Sequence, residues 1–334
     1  MQGGENHIIY LEACGNVWGN GEGKRGQLGT LGNQSDKVER ISELTNIIQI
    51  STGPQHSIFL HENGYVLGCG SNQAGQLSGG DVSTCFTIRR IFNLVNIVEI
   101  SAKYHHLLAI DGNGIVWGCG NNNYKQLGEG LARILTPRQV PGLPPCKSIF
   151  TGYECSYAID YEDNLWGLGN NCDGQIAETG KRESLSAIKL EDLPFSGNVN
   201  FIDLGENQTA VLDKEKQLWI KKYRLNRLAK EKKLKKIDSE PVVQIFVTYR
   251  GVLFLDENQN VWLFHKEMRK IEFEEAIVNI FGSHRFFMAK SETGNFYLID
   301  IPRVDQVIPP PVLLNFPFKL HEGSNEATKS ARAV

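Results

Sequence analysis

The 334 residues carry a formal net charge of −3, with 41% hydrophobic and 22% charged side chains. That balance allows a substantial core and gives no global attraction for nucleic acid or an anionic membrane. No apolar run reaches 18 residues, so no transmembrane helix is expected. The start, "MQGGENHIIY", lacks the basic and apolar regions of a secretory signal. Seven cysteines without a Cys-x-x-Cys pair point to reduced thiols in a cytoplasmic setting.

In chain order, the first apolar run is Ile8-Ile9-Tyr10, followed from Gly15 by "GNVWGNGEGKRGQLG". "NIIQISTGPQHSIFL" begins at Asn46 and leads into "GYVLGCGSNQAGQLSGG" at Gly64. "NIVEISAKYHHLLAI" begins at Asn96 and leads into "GIVWGCGNNNYKQLGEG" at Gly114. "CKSIFTGYECSYAI" begins at Cys146 and leads into "NLWGLGNNCDGQIAETG" at Asn164. Trp18, Leu67, Trp117 and Trp166 are therefore spaced by 49, 50 and 49 residues. The plan continues in worn form through Trp219, Trp262 and Tyr297, at intervals of 53, 43 and 35.

A fixed period near 50 residues marks a repeat architecture, and the count is seven. Each copy alternates short β-branched and aromatic runs with Gly/Asn/Asp turns, such as Glu62-Asn63-Gly64. One such antiparallel sheet cannot bury both faces alone. Seven together predict an all-β fold, a single seven-bladed β-propeller over residues 1–320. The first copy lacks its leading strand, and "PPPVLLNFPFKL" (Pro309 to Leu320) looks like the missing piece. Residues within Val312–Leu320 are thus expected to pair into the blade begun by Ile8–Val17 and close the propeller. Residues 321–334 are polar and aperiodic, which predicts a disordered tail.

The glycine-rich turns could be mistaken for phosphate loops. A phosphate loop needs a helix N-terminus after its glycines, and no helical pattern follows here. Four copies in one chain favour a structural role at Gly118, Gly120 and their equivalents. The five tryptophans share one repeat position, which predicts burial between blades. His105, His106, Cys69 and Cys119 show no zinc spacing, and no metal, cofactor or catalytic constellation is expected.

The string Gly-x-Val-Trp-Gly-x-Gly-x-Asn-x-x-Gly-Gln-Leu-Gly, with an upstream Gly-x-x-His, resembles the regulator-of-chromosome-condensation repeat family. The matching stretches are Trp18–Gly29, Leu67–Leu77, Trp117–Gly128 and Trp166–Ile176. The resemblance implies a seven-bladed propeller that grips another protein with one face. Its best-known member exchanges guanine nucleotide on the small GTPase Ran. Others are scaffolds, a plant ultraviolet sensor, a β-lactamase inhibitor and bacterial effectors injected to act on host small GTPases. The sensor's Gly-Trp-Arg-His-Thr segment is absent here. The implied partner is a small GTPase of the Ran or Rab class, with a scaffold or inhibitor of another protein as the alternative. The implied setting is the cytoplasm, or the host cytosol for an injected effector.

In the Ran exchange factor the residue before the repeat histidine supplies contacts to the GTPase. The matching positions here are Gln55, His105, Glu154, Asn207, Arg250 and His284, of which only Glu154 is acidic. The family's prying wedge has two candidate counterparts, the tip holding Lys24 and Arg25 and the altered loop holding Asp173. "KKYRLNRLAKEKKLKKI" (Lys221–Ile237) concentrates nine Lys/Arg against one Glu. Charge runs are usually solvated loops. The functional reading is a handle for an acidic protein or anionic membrane, made by Lys221, Lys222, Arg224, Lys232, Lys233, Lys235 and Lys236.

Overall fold

The structure, a computed structural model, describes residues 1–29, 34–172, 176, 183–191, 194, 199–222, 234–248, 251–265, 267–282, 286–299 and 309–314. The fold is all-β. Its strands form seven four-stranded antiparallel sheets, each running through consecutive strands, and together they make a seven-bladed β-propeller. The sheets fall into two compact units, residues 1–191 and 192–320.

In the first unit, blade 1 takes Gln2–Gly3, His7–Leu11, Val17–Glu22 and Gln34–Arg40. Blade 2 takes Ile47–Gly53, His56–His61, Val66–Gly70 and Cys85–Arg90. Blade 3 takes Ile97–Ser101, His106–Asp111, Val116–Asn121 and Arg133–Gln139. Blade 4 takes Cys146–Thr151, Cys155–Asp160, Leu165–Asn170 and Glu183–Lys189. The second unit holds blade 5, which opens on Val199–Leu204 and Gln208–Asp213. Blade 6 opens on Val242–Val247 and Val252–Asp256, and blade 7 on Ile277–Gly282 and Phe287–Ser291.

The repeat anchors sit in one register. Trp18, Leu67, Trp117, Trp166, Trp219, Trp262 and Tyr297 face Tyr10, Phe59, Ala109, Ala158, Val211, Phe254 and Ala289 across the second and third strands. Every second strand is buried along most of its length around an apolar centre, as in Ile58, Phe59 and Leu60, all fully buried. Such strands have core on both faces, and this explains why they read as runs rather than as alternation.

Two expectations need correcting. Val312–Leu314 does not enter blade 1; it is the fourth strand of blade 7, with Val312, Leu313 and Leu314 opposite Leu298, Tyr297 and Phe296. Blade 1 completes itself with Gln2–Gly3, paired to Ile9 and Ile8. A two-residue strand of Gln and Gly has no apolar signature, so it escaped notice. Residues 315–320 and the tail 321–334 lie outside the described residues. Nor are the tryptophans fully buried, although Trp117, Trp166 and Trp262 pack against the buried core. Trp117, Trp166, Trp219 and Trp262 are half-buried, and each Nε1–H donates at 2.8–3.0 Å to the Oδ2 of an aspartate six residues earlier. The same aspartates, Asp111, Asp160, Asp213 and Asp256, accept backbone N–H groups of the turn between the second and third strands. The tryptophan therefore locks its own hairpin.

First strands of neighbouring blades are joined by side chains. Gln49 forks onto Ile100, accepting its N–H at 2.8 Å and donating to its carbonyl at 3.1 Å. Gln244 treats Ile280 alike, at 2.8 and 2.7 Å. Glu99 stands one repeat after Gln49 and accepts from Ile149 N–H at 3.1 Å. Burial pushes its carboxyl up to about 8, against the opposing pull of the Ile149 hydrogen bond. Folding thus holds a proton that the unfolded chain releases above about 4.5. The stabilisation is complete below that value and is lost as pH rises through 8. Glu99→Gln, which copies Gln49, should leave stability at pH 5 nearly unchanged. At pH 9 it should add about 2 kcal/mol, roughly half the full linkage value because the residue is half-buried rather than fully enclosed. Urea midpoints at the two pH values test this, and equal shifts at both would contradict it.

Candidate functional site

Two loops lie at the same end of each blade, one joining strands 1 and 2 and the other joining strands 3 and 4. The 3–4 loops carry the glycine motif, and their polar groups serve the loop itself. A Cβ on Gly118 would meet Leu127 Cδ2 at 2.6 Å, so that glycine makes room for the motif leucine. Gly120 has φ +109, and a Cβ there would strike the His105 carbonyl at 2.6 Å. Asn122, fully buried, accepts Leu127 N–H at 2.9 Å and donates to the carbonyls of Gly128 and Leu131 at 3.0 and 2.9 Å. Gln126 Oε1 accepts Tyr124 N–H at 3.1 Å. Asn72 and Gln76 repeat the scheme in blade 2. Burial pushes the Cys119 thiol up to about 12, and its Sγ donates to the Gln76 carbonyl of the preceding blade at 3.6 Å. Burial likewise raises Cys69, which meets Gln27 in the same way. These are packing thiols rather than reactive ones. Among the described residues, no group of three or more His, Cys, Asp or Glu is placed to hold a metal ion.

The repeat histidines are buried behind the 1–2 loops. His7, which the sequence comparison overlooked, joins His56 and His106 as a third copy, and none is more than 1% exposed. His7 Nε2 lies 3.0 Å from Ser57 Oγ, whose own proton goes to the Gln27 carbonyl. His106 Nε2 lies 2.9 Å from Ser156 Oγ. Between them, Leu107 occupies the serine position, and neither ring nitrogen of His56 has a hydrogen-bond partner among the described residues. Burial depresses His7 to about 4 despite the nearby Glu22. His56 falls to about 3 through burial and then its histidine neighbours, and His106 likewise through burial and His105. In blade 5, Gln208 takes this place and donates to the Thr248 carbonyl at 2.8 Å.

What remains at the loop end of the first unit is the residue before each histidine position. Gln55 and Glu154 are half-buried and His105 is exposed, so the structure brings these three expected contacts to one end of the unit. Asn6 belongs with them by position and holds Glu22 with its Nδ2 at 2.8 Å. Asn207, half-buried, occupies the same loop of blade 5 in the second unit. Arg250 and His284 lie outside the described residues. Glu154 is fixed by Asn170, whose Nδ2 donates to its Oε2 at 2.5 Å. The Glu154 carboxylate is the main cause that raises the Tyr124 phenol. Tyr153 is 40% exposed and stands edge-on to the buried Tyr104, with centroids 5.3 Å apart.

Lys24 and Arg25 are exposed at the 3–4 loop tip of blade 1, where Lys24 pairs with Glu22 at 3.5 Å. Asp173 lies outside the described residues. The basic run is not a uniform handle. Lys221 is only 8% exposed, and this removes it from any solvent-facing patch. Lys222 is exposed, with its Nζ 4.7 Å from the Phe264 ring centroid. Lys235 and Lys236 are exposed in a short fourth strand of blade 5. Arg224, Lys232 and Lys233 lie outside the described residues.

Models of the regulator of chromosome condensation (RCC1) repeat match residues 14–60 and 113–159 in one form and 47–76 and 97–126 in another. No curated protein sequence matches the chain. The solved structure of human WBSCR16 is similar at TM-score 0.76 and 19% identity, covering 87% of this chain and 86% of that one. Yeast RCC1 (Prp20), solved bound to Kap60, is similar at TM-score 0.74 and 18% identity, covering 86% and 78%. Prp20p from Saccharomyces cerevisiae, described with its binding properties to Gsp1p and histones, gives 0.73 and 18%, covering 86% and 80%. At these identities the likeness speaks to the fold.

Proposed function

We propose, from the premise that this chain carries RCC1 repeats over residues 14–76 and 97–159, that it is a protein-binding propeller engaging a small GTPase of the Ran or Rab class. One observation carries the reading. In the 1–2 loops of the first unit the histidine position is buried, while the residue beside it reaches solvent and differs from blade to blade: Asn6, Gln55, His105, Glu154. A surface built this way presents varied polar contacts on a rigid support, as recognition of a protein requires. Its relative Prp20p, described as binding Gsp1p and histones, supports a protein partner for this fold.

Nucleotide exchange requires only that the propeller bind the nucleotide-free GTPase more tightly than the loaded one, so no acid–base pair is called for. Lys24 and Arg25, exposed at their loop tip, are the groups placed to reach a bound partner. The second reading, binding without exchange as a scaffold or inhibitor, draws on the single acidic residue among the described loop positions. The cytoplasm is the compartment proposed for both. Release of fluorescent GDP from a panel of purified small GTPases, with binding measured alongside, separates them. Acceleration of release by two orders of magnitude or more is expected for exchange. Binding without release selects the scaffold reading, and silence across the panel removes the GTPase.

A further inference from the structure

We infer that Arg90, at the end of blade 2 opposite the 1–2 loops, binds a carboxylate that a segment of a partner protein presents beside an apolar side chain. This is a second contact surface and does not depend on the GTPase reading.

The first four blades supply the comparison. At the head of the 2–3 turn they carry Glu12, His61, Asp111 and Asp160, so blade 2 alone among them has no carboxylate there. His61 keeps the structural half of the role. Its Nδ1 accepts Asn63 N–H at 3.1 Å, as Asp111 Oδ1 accepts Asn113 N–H at 2.9 Å. The negative charge is missing. Strand 4 places Arg40 opposite Trp18 and Arg90 opposite Leu67, the same position one repeat apart. In blade 1 that arginine is answered from within, since its Nη2 donates to Asn16 Oδ1 at 2.6 Å. Burial pushes the Glu12 carboxyl up, but hydrogen bonds and then the charge of Arg40 hold it below its usual value.

In blade 2, Tyr65 stands where blade 1 has Asn16. The Tyr65 ring stacks on His61, with centroids 4.2 Å apart and planes 14° from parallel, and Arg90 Cζ lies over it at 5.1 Å. Arg90 is exposed, and among the described residues it has no hydrogen bond or ion pair. Contact with a π face steadies a guanidinium without occupying its N–H donors, so less freedom is lost when an oxygen ligand arrives. Its neighbour Arg89 is turned to the Ser78 carbonyl at 2.7 Å.

The surroundings favour a protein segment over a free anion. Ile91 N–H donates to the Val66 carbonyl and Ile97 N–H to that of Gly64, at 2.8 and 2.9 Å, which brings residues 92–96 alongside the same turn. That connection carries Phe92 and Val95, 66% and 59% exposed, where the one before blade 2 has Ser42 and Thr45. Arginine with aromatic neighbours is the composition of interface centres, and a carboxylate is the group that forks onto guanidinium.

The test uses the full chain labelled with ¹³C-tyrosine, with Tyr65→Phe assigning the Tyr65 ring signals. Titration with acetyl-Gly-Leu-Glu-Leu-Gly-amide should shift them with a millimolar Kd. The glutamine peptide should bind roughly fivefold more weakly, the loss of one surface ion pair. Inorganic phosphate should bind more weakly than the glutamate peptide. Arg90→Gln should weaken the glutamate peptide by the same factor, whereas Arg40→Gln should leave it unchanged. His61→Asp copies blades 3 and 4 and supplies an internal carboxylate, so it too should weaken the peptide while the other tyrosine signals stay in place. Equal binding of the two peptides, tighter binding of phosphate, equal loss with Arg40→Gln, or undiminished binding by Arg90→Gln or His61→Asp would each overturn the assignment.

Discussion

Between pH 7 and pH 5 the protein should lose several kcal/mol of stability, and His56→Gln should remove about 2 kcal/mol of that loss. His7, His56 and His106 are fully enclosed and stay neutral when folded, down to about 4, 3 and 3 respectively. In the unfolded chain each takes up a proton near 6.5. The unfolded state therefore binds more protons through this interval, and stability falls as pH falls from 6.5 toward the folded values. Each group contributes about 2 kcal/mol of loss at pH 5. His56 is the sharpest probe because neither ring nitrogen has a hydrogen-bond partner among the described residues. Glutamine already occupies the equivalent site in blade 5 as Gln208. Urea unfolding at half-unit pH steps should give His56→Gln a shallower acid limb than the parent. Superimposable limbs would mean that another group governs the loss.

The second large effect belongs to Asn122. Asn122→Ala should lower stability by about 3 kcal/mol, because the Leu127 N–H and the carbonyls of Gly128 and Leu131 would remain without their partner. Asn122→Asp should do no better. It keeps an acceptor for Leu127 but turns a carboxylate toward two carbonyl oxygens. The exposed neighbour Asn123→Ala is the control, expected within about 0.5 kcal/mol of the parent. Urea midpoints of the three variants decide it, and an Asn122→Ala protein as stable as the control would refute the clamp.

The blade count was legible because the 3–4 loop motif needs specific residue types at fixed places. Gly118 makes room for Leu127, Gly120 adopts positive φ, and Asn122 holds the loop closed. The phosphate reading failed for the same physical reason. The tryptophan position was legible but its role was not. Apolar bulk suggested burial, whereas the aspartate six residues earlier in four copies was the available sign of an Nε1 bond. His7 was missed because "GENH" precedes the first recognised run and has no companion strand of visible pattern. The last strand was misplaced because pairing partners are chosen by space. Val312–Leu314 finds the open edge of Phe296–Ile299 beside it in the chain. At the site, Glu154 stood out as the lone acid, but Tyr124, whose phenol it raises, comes from the 3–4 loop of the preceding blade, and no linear spacing announces it.

Each sheet is built from one uninterrupted stretch of chain, down to the correction that returned Val312–Leu314 to its own blade. This gives the gene a natural unit of duplication. A copied segment running from a first strand to a fourth arrives with all three of its internal strand pairings encoded, and its removal leaves the pairings of every other sheet intact. Cuts that fall within a strand have no such tolerance. For anyone grafting, deleting or shuffling parts of this molecule, the seams that cut no strand pairing are the connections between fourth and first strands, such as Phe92–Asn96 after blade 2, provided that its buried Leu94 is kept.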